Sequence, residues 1–303
     1  GIDKGVMTLV DEPRQAMLLA ALESESRQLV RKCGGSVCNS IVAISSLGGK
    51  AFFCGKVAKD SDGSLYAEDL KSAGANFQKA APEQGTTGKC LVMVTDDAER
   101  TMNTFLGVSE DLSSREIDEI ALCASEWLYL EGYLVTDQRR TDMIDALVKT
   151  AKKNDVKVAV SLSDPFVAKA FGASLRQIIG TSVDLIFCNI QEALAFTGTA
   201  DVENAVIILR RYAATFVITD GARGAFCCNG HDRVETLGIS VDAIDTNGAG
   251  DMFAGAFLHA VTSGRDYQWA VDFANDCAAR IVQTLGPRLG KDDFDRIKKA
   301  FDL

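Results

Sequence analysis

The sequence predicts an α/β fold: a three-layer, doubly wound, mostly parallel sheet carrying a small β-sheet. Two observations predict the layers. Short apolar runs bounded by turn residues recur along the 303 residues, and longer amphipathic stretches lie between them. Near-continuous apolar strands joined by helices belong to a parallel sheet covered on both faces. A third observation predicts the attachment. Positions 76–107 read as strands and turns with little helical period, punctuated by Pro82, Gly85 and Gly88.

Taken in order, the strands are expected at Ala51–Cys54, Cys90–Thr95, Trp127–Val135, Val156–Leu162, Asp184–Cys188, Thr215–Thr219 and Gly224–Cys228. Amphipathic helices are expected at Asn39–Leu47, Ser64–Ala73, Ser114–Ala124, Gln138–Lys153 and Phe166–Ile179. From Gly224 to Asp245 the pattern is that of a hairpin or meander around Asn229-Gly230, which suits an antiparallel edge of the main sheet. No repeat, low-complexity run or Pro/Gly-rich linker divides residues 1–303, so one domain is expected, with the strands of 76–107 as a flap over a site. In doubly wound sheets ligands bind beyond the carboxyl ends of the strands, and the loops there are where chemistry should lie.

Composition narrows the class. Hydrophobic residues make up 47% and charged residues 24%, ordinary values for a soluble enzyme. No apolar run reaches the roughly 20 residues a bilayer demands, and GIDKGVMTLVDEPRQ has none of the regions of a signal peptide. A cytoplasmic protein is expected. The net charge of −10 argues against nucleic acid or an anionic membrane as partner. A phosphate-bearing small ligand stays open, because helix N-termini and backbone N–H groups bind anions locally. The nine cysteines form no CxxC pair and only two histidines accompany them, which predicts reduced thiols rather than a zinc site or disulfide scaffold.

The most informative window is Asp245-Thr-Asn-Gly-Ala-Gly-Asp251, followed by small apolar residues that read as a buried helix. Gly248 and Gly250 let the backbone turn tightly and come close to a ligand. A helix N-terminus offers free N–H donors and partial positive charge, suited to a phosphate. By spacing alone Asp251 is either a capping carboxylate or a functional one. No GxxxxGK[ST] loop is present, and the GxGxxG that a Rossmann oxidoreductase requires is absent too.

DTNGAGDMFAGAF resembles the C-terminal signature of the ribokinase/PfkB family of carbohydrate and nucleoside kinases. The resemblance implies a ribokinase-like fold and transfer of a phosphoryl group from ATP, with Mg²⁺, to a hydroxyl of a sugar or nucleoside. Asp251 is then the catalytic base, and Gly248, Ala249 and Gly250 form the anion hole. Gly34-Gly-Ser-Val-Cys-Asn39 resembles the substrate loop in its adenosine-kinase-like form, implying Gly34, Gly35 and Asn39 as substrate contacts. The run from Gly55 to Gly63 resembles another family stretch, in which Asp60 falls near the substrate; a solvated turn aspartate is the other reading. Thr87–Thr95 resembles the lid strands of adenosine-kinase-like members.

Asn189-Ile-Gln-Glu192 resembles the NxxE motif, implying that Asn189 and Glu192 organise phosphates and magnesium, Glu192 through water. The loop Thr219-Asp-Gly221-Ala-Arg-Gly224 resembles the nucleotide loop, and Asn275 begins the region that borders the adenine. With that region Asp245 is implied in a monovalent cation site, K⁺ being the candidate. Two departures stand out. The opening strand of the family, with its sugar-binding aspartate, is expected before Gly1, and Asp11 is not that residue; the loop also lacks the third-position asparagine of typical sugar kinases. A monomer or homodimer is implied, because lid strands form dimer interfaces in some relatives. A non-catalytic nucleotide- or sugar-binding regulator on the same fold is the alternative reading.

Overall fold

The computed structural model describes residues 2, 4, 7–25, 30–79, 84–95 and 100–303. Eleven strands are described: β1 (Met7–Leu9), β2 (Phe52–Gly55), β3 (Asn76–Lys79), β4 (Thr87–Val94), β5 (Arg100–Gly107), β6 (Trp127–Glu131), β7 (Lys157–Ser161), β8 (Val183–Asn189), β9 (Ala213–Thr219), β10 (Gly224–Asn229) and β11 (Asp232–Leu237). The main sheet runs β11-β10-β9-β8-β7-β6. β6 to β9 are parallel, and β10 and β11 add the expected antiparallel edge. The hairpin turns on Gly230-His231, between the paired Asn229 and Asp232, and only Gly230 takes a positive φ of 58°.

The apolar runs are buried on both faces because successive side chains alternate between two layers. Val158, Val160, Ile186, Phe216 and Ile218 pack against Ile144, Val148, Leu175, Phe196 and Leu209. These come from helices Gln138–Lys153, Gly172–Ile179, Ile190–Thr197 and Val202–Leu209. Ala159, Leu185, Phe187 and Val217 point the other way, onto Phe253, Phe257, Phe273 and Ile297. Those belong to helices Ala249–Thr262, Tyr267–Ile281 and Lys291–Phe301. The expected three layers are present.

A separate sheet, ordered β1-β5-β4, stands apart from the main one. Its third strand comes from the N-terminal segment, where β1 runs parallel to β5, while β3 pairs with β2 instead. Asp11 caps the helix Glu12–Ser24, accepting from Arg14 N at 2.8 Å. Within 76–107, positions 80–83 (Pro82 among them) and 96–99 lie outside the described residues.

Three expected elements are corrected. The strand expected at Trp127–Val135 stops at Glu131, and Gly132–Thr136 forms a 3₁₀ turn. Gly132 N–H donates to Ser163 Oγ at 2.7 Å rather than to a ladder partner. The helix expected at Ser114–Ala124 breaks because Glu116 folds back to cap Ser113, and Asp118 then caps a short helix Glu119–Cys123. Phe166–Ile179 divides at Phe171 into Pro165–Ala170 and Gly172–Ile179. Apolar periodicity runs through each break because the residues stay half-buried; a cap or a redirected N–H ends the element.

Because β6 to β9 are parallel, Glu131, Ser161, Asn189 and Thr219 all stand at carboxyl ends on one edge of the sheet. Among the described residues no helix is long and apolar enough to cross a membrane.

Candidate active site

Asp251 sits in the first turn of helix Ala249–Thr262, where N–H groups have no acceptor one turn back. The turn before it is held by Asp245. This carboxylate, 2% exposed, accepts from Asn247 N and Gly286 N, both at 2.9 Å. Gly248 then takes the left-handed region at φ 79° and lies against the Pro287 backbone.

The GlyGly loop reaches this carboxylate through the helix Ser36–Ser46, which begins at Gly35 with φ 100°. Ser36 Oγ donates to Asp251 Oδ1 at 2.7 Å, and Asn39 Nδ2 donates to Oδ2 at 2.8 Å. Ser40 Oγ donates to the Asp251 carbonyl at 2.8 Å. The two helices approach so closely because Gly255 has no side chain: a Cβ there would stand 2.6 Å from Ser40 O. Gly34 O accepts from Tyr66 OH at 3.0 Å, which fixes the loop from below.

Other carboxylates gather on the same edge. Glu131, at the end of β6, accepts from Val37 N at 3.2 Å; burial pushes its carboxyl up, and the charge of Asp251 adds to this. Glu192 and Asn189 form a reciprocal cap: Glu192 N donates to Asn189 Oδ1 at 2.8 Å, and Asn189 N to Glu192 Oε2 at 3.1 Å. Burial pushes Glu192 up to about 7, with the charges of Asp164 and Asp251 adding to it. Asp164 follows β7 and caps helix Pro165–Ala170. Burial is the larger cause at both groups, and the anionic neighbours that add to it favour a positive charge there.

At the end of β9, Thr219 leads into a loop closed by Asp220 N donating to Gly224 O at 2.8 Å, with Gly221 and Gly224 at φ 54° and 109°. Two motif residues are tied elsewhere. Asn275 Nδ2 donates to Leu237 O at 3.0 Å, holding helix Tyr267–Ile281 to β11. Asp60 caps helix Ser61–Ser72 and accepts from Gly63 N, Thr87 N and Thr87 Oγ1 at 2.7, 2.8 and 2.6 Å. Its bonds are those of a clamp between that helix and β4. Burial pushes its carboxyl up, but these hydrogen bonds outweigh it and hold the group below the ordinary range.

Sequence reading missed Ser36, Ser40, Glu131, Asp164 and Arg288. Glu131 and Asp164 close apolar runs, a signal that was available. Nothing local marks Ser36 as a partner of Asp251 or Arg288 as a partner of Asn39.

A carboxylate at a Gly-rich helix start faces a second glycine loop across an edge that also carries Glu131, Asp164 and Glu192. The fold and site define a phosphotransferase of the sugar and nucleoside kinase class. Residues 8–293 match the model of the pfkB family of carbohydrate kinases, and the chain belongs to that family. The crystal structure of adenosine kinase from Sinorhizobium meliloti superposes with a TM-score of 0.92 at 31% identity, covering 99% of this chain and 91% of that one. An ATP-dependent ribose-1-phosphate kinase from Halopiger xanaduensis is 27% identical over 274 residues, covering 88% of this chain and 86% of its own. The ribokinase of Bacillus subtilis is 26% identical over 258 residues, covering 85% and 83%. The fold is ribokinase-like.

Proposed function

We propose that the chain transfers the γ-phosphoryl group of ATP to a hydroxyl of a nucleoside or ribose-like sugar, with Asp251 as base. One observation carries the reading: Ser36 and Asn39 of the substrate loop converge on the Asp251 carboxylate at the start of a helix opened by Gly248-Ala249-Gly250. As the acceptor oxygen bonds to phosphorus, the bond to the ADP oxygen breaks and the hydroxyl proton passes to Asp251. Gly248, Ala249 and Gly250 N–H groups and the helix N-terminus stabilise charge on the transferring group. Gly34, Gly35 and Asn39 hold the acceptor. Asn189, Thr219, Gly221 and Gly224 receive the ATP phosphates, and Asn275 begins the region that borders the adenine.

The Glu192 carboxylate, with the charge of Asp164 acting on it, suits magnesium held largely through water. When bound, the ion neutralises phosphate charge, and the raised Glu192 carboxyl is the group whose ionisation favours it. K⁺ is assigned to Asp245, whose two oxygens each accept one N–H and keep a lone pair.

The acceptor class rests on the Gly34-Gly-Ser-Val-Cys-Asn39 loop and on the adenosine kinase similarity. The test is ADP release from ATP and Mg²⁺ over adenosine, other nucleosides, ribose and fructose, with and without K⁺. Turnover on a nucleoside or ribose supports the reading; turnover confined to fructose overturns the acceptor class, and none on any acceptor overturns the kinase.

Glu192 yields a second test. The ionised Glu192 carboxylate is the form that would hold magnesium through water, so below a pKa of about 7 protons would compete with the metal. The half-saturating Mg²⁺ concentration should rise as pH falls below 7, by up to about tenfold per unit. Glu192→Gln should raise that concentration at pH 8 and flatten the pH dependence. An unchanged magnesium titration in this variant would remove Glu192 from the metal's surroundings.

A further inference from the structure

Arg288 is joined to Asp251 through one residue, Asn39, and belongs to none of the motifs. Its side chain is 10% exposed and is paired with the Asp69 carboxylate of helix Ser61–Ser72. Its Nε donates to Asn39 Oδ1 at 2.8 Å, and Nη2 donates to Cys38 Sγ at 3.1 Å. Asn39 therefore stands between two charges, with the guanidinium on its oxygen and the Asp251 carboxylate on its nitrogen.

An amide has one acceptor end and one donor end. In this orientation both ends make charge-assisted bonds, the strong kind. The flipped amide would set oxygen against carboxylate and nitrogen against guanidinium, replacing two attractions by two repulsions. Arg288 is itself fixed by Asp69, so the orientation is imposed from helix Ser61–Ser72 through to the base.

The neighbouring residues act on the same structure. Gly286 N donates to Asp245 Oδ2 at 2.9 Å. The Pro287 backbone lies so close to Gly248 that a Cβ there would stand 2.4 Å from Pro287 O. Three consecutive residues thus touch the turn before the anion hole, the hole, and the substrate-loop asparagine.

We infer that Arg288 is a positioning residue for phosphoryl acceptance: it holds the oxygen of Asn39, so that Asn39 presents only N–H donors to Asp251 and to the incoming alcohol. The inference rests on the reading of Asp251 as base.

A double-mutant cycle between Arg288→Met and Asn39→Ala tests it, using ADP release with adenosine and with ribose, and adenosine dissociation constants by calorimetry. Asp251→Asn is run alongside. Arg288→Met should lower kcat/KM for the acceptor by about 10- to 100-fold, the worth of a hydrogen bond to a charged group, and leave KM for ATP within about twofold. In the Asn39→Ala background the same change should cost less than about threefold, because its route is already removed. Arg288→Lys keeps the charge toward Asp69 but lacks the planar fork, and should fall between. It replaces Arg288→Met in the cycle if thermal unfolding shows that variant misfolded. Equal losses in both backgrounds, or a parallel rise in KM for ATP, overturn the positioning role and leave a structural brace. Wild-type kcat in Asp251→Asn overturns the base reading instead.

Discussion

Asp251→Asn is expected to lower kcat by about 10²- to 10⁴-fold, the usual worth of a positioned general base. The amide is nearly the same size, and its oxygen can still accept from Ser36 or Asn39, so the loop and helix should stay together. It cannot take the proton of the acceptor hydroxyl. Nor does it change the Thr219–Gly224 loop or the cap between Asn189 and Glu192, so ATP affinity should move little. Steady-state kinetics with calorimetric ATP binding separate the two effects. A kcat near that of the unaltered protein would show that Asp251 does not take the proton.

Gly248→Ala should be strongly destabilising for a change of a single methyl. Gly248 has φ 79°, where a side chain costs about 1–2 kcal/mol. The added Cβ would also meet Pro287 O at 2.4 Å and Pro287 Cα at 2.8 Å, an overpacking cost of about 1–3 kcal/mol. Together these give about 2–5 kcal/mol, read as a lower unfolding midpoint in denaturant. Activity should fall as well, because the N–H groups of the hole move with the turn. Gly250→Ala is the control: it has an ordinary φ and nothing within 4 Å of its Cβ, so its stability should be nearly unchanged. Equal effects at the two glycines would refute this account of the turn.

Much of the fold was legible because it is written in local pattern. Val158 to Val160, Leu185 to Cys188 and Phe216 to Ile218 are apolar at every position, and only a strand covered on both faces keeps such a run. The turn at Gly248 was legible as a glycine before a buried helix, whereas a role for Asp251 was implied only by the resemblance of the window to a family signature. Where local pattern misled, a distant partner had intervened. Gly132 gives its N–H to Ser163, which ends β6 four residues early. β3 joins β2 and leaves its place in the small sheet to β1, a choice between edges that no single strand's sequence records. Asn275 and Asp60 carry motif positions, but their side chains are held by Leu237 O and by Thr87 and Gly63.

By itself, then, the sequence determined the layers, the parallel core and the glycine turn that carries Asp251, since these depend on residues near one another in the chain. The tertiary structure decided which groups meet the Asp251 carboxylate. Ser36 and Asn39 lie more than two hundred positions from Asp251, and Arg288 nearly two hundred and fifty from Asn39. Their convergence depends on Gly255 letting two helices touch at Ser40 and on Pro287 seating against Gly248. Hydrogen bonds are short-ranged and directional, so such a network exists only once the packing has brought its members within about 3 Å.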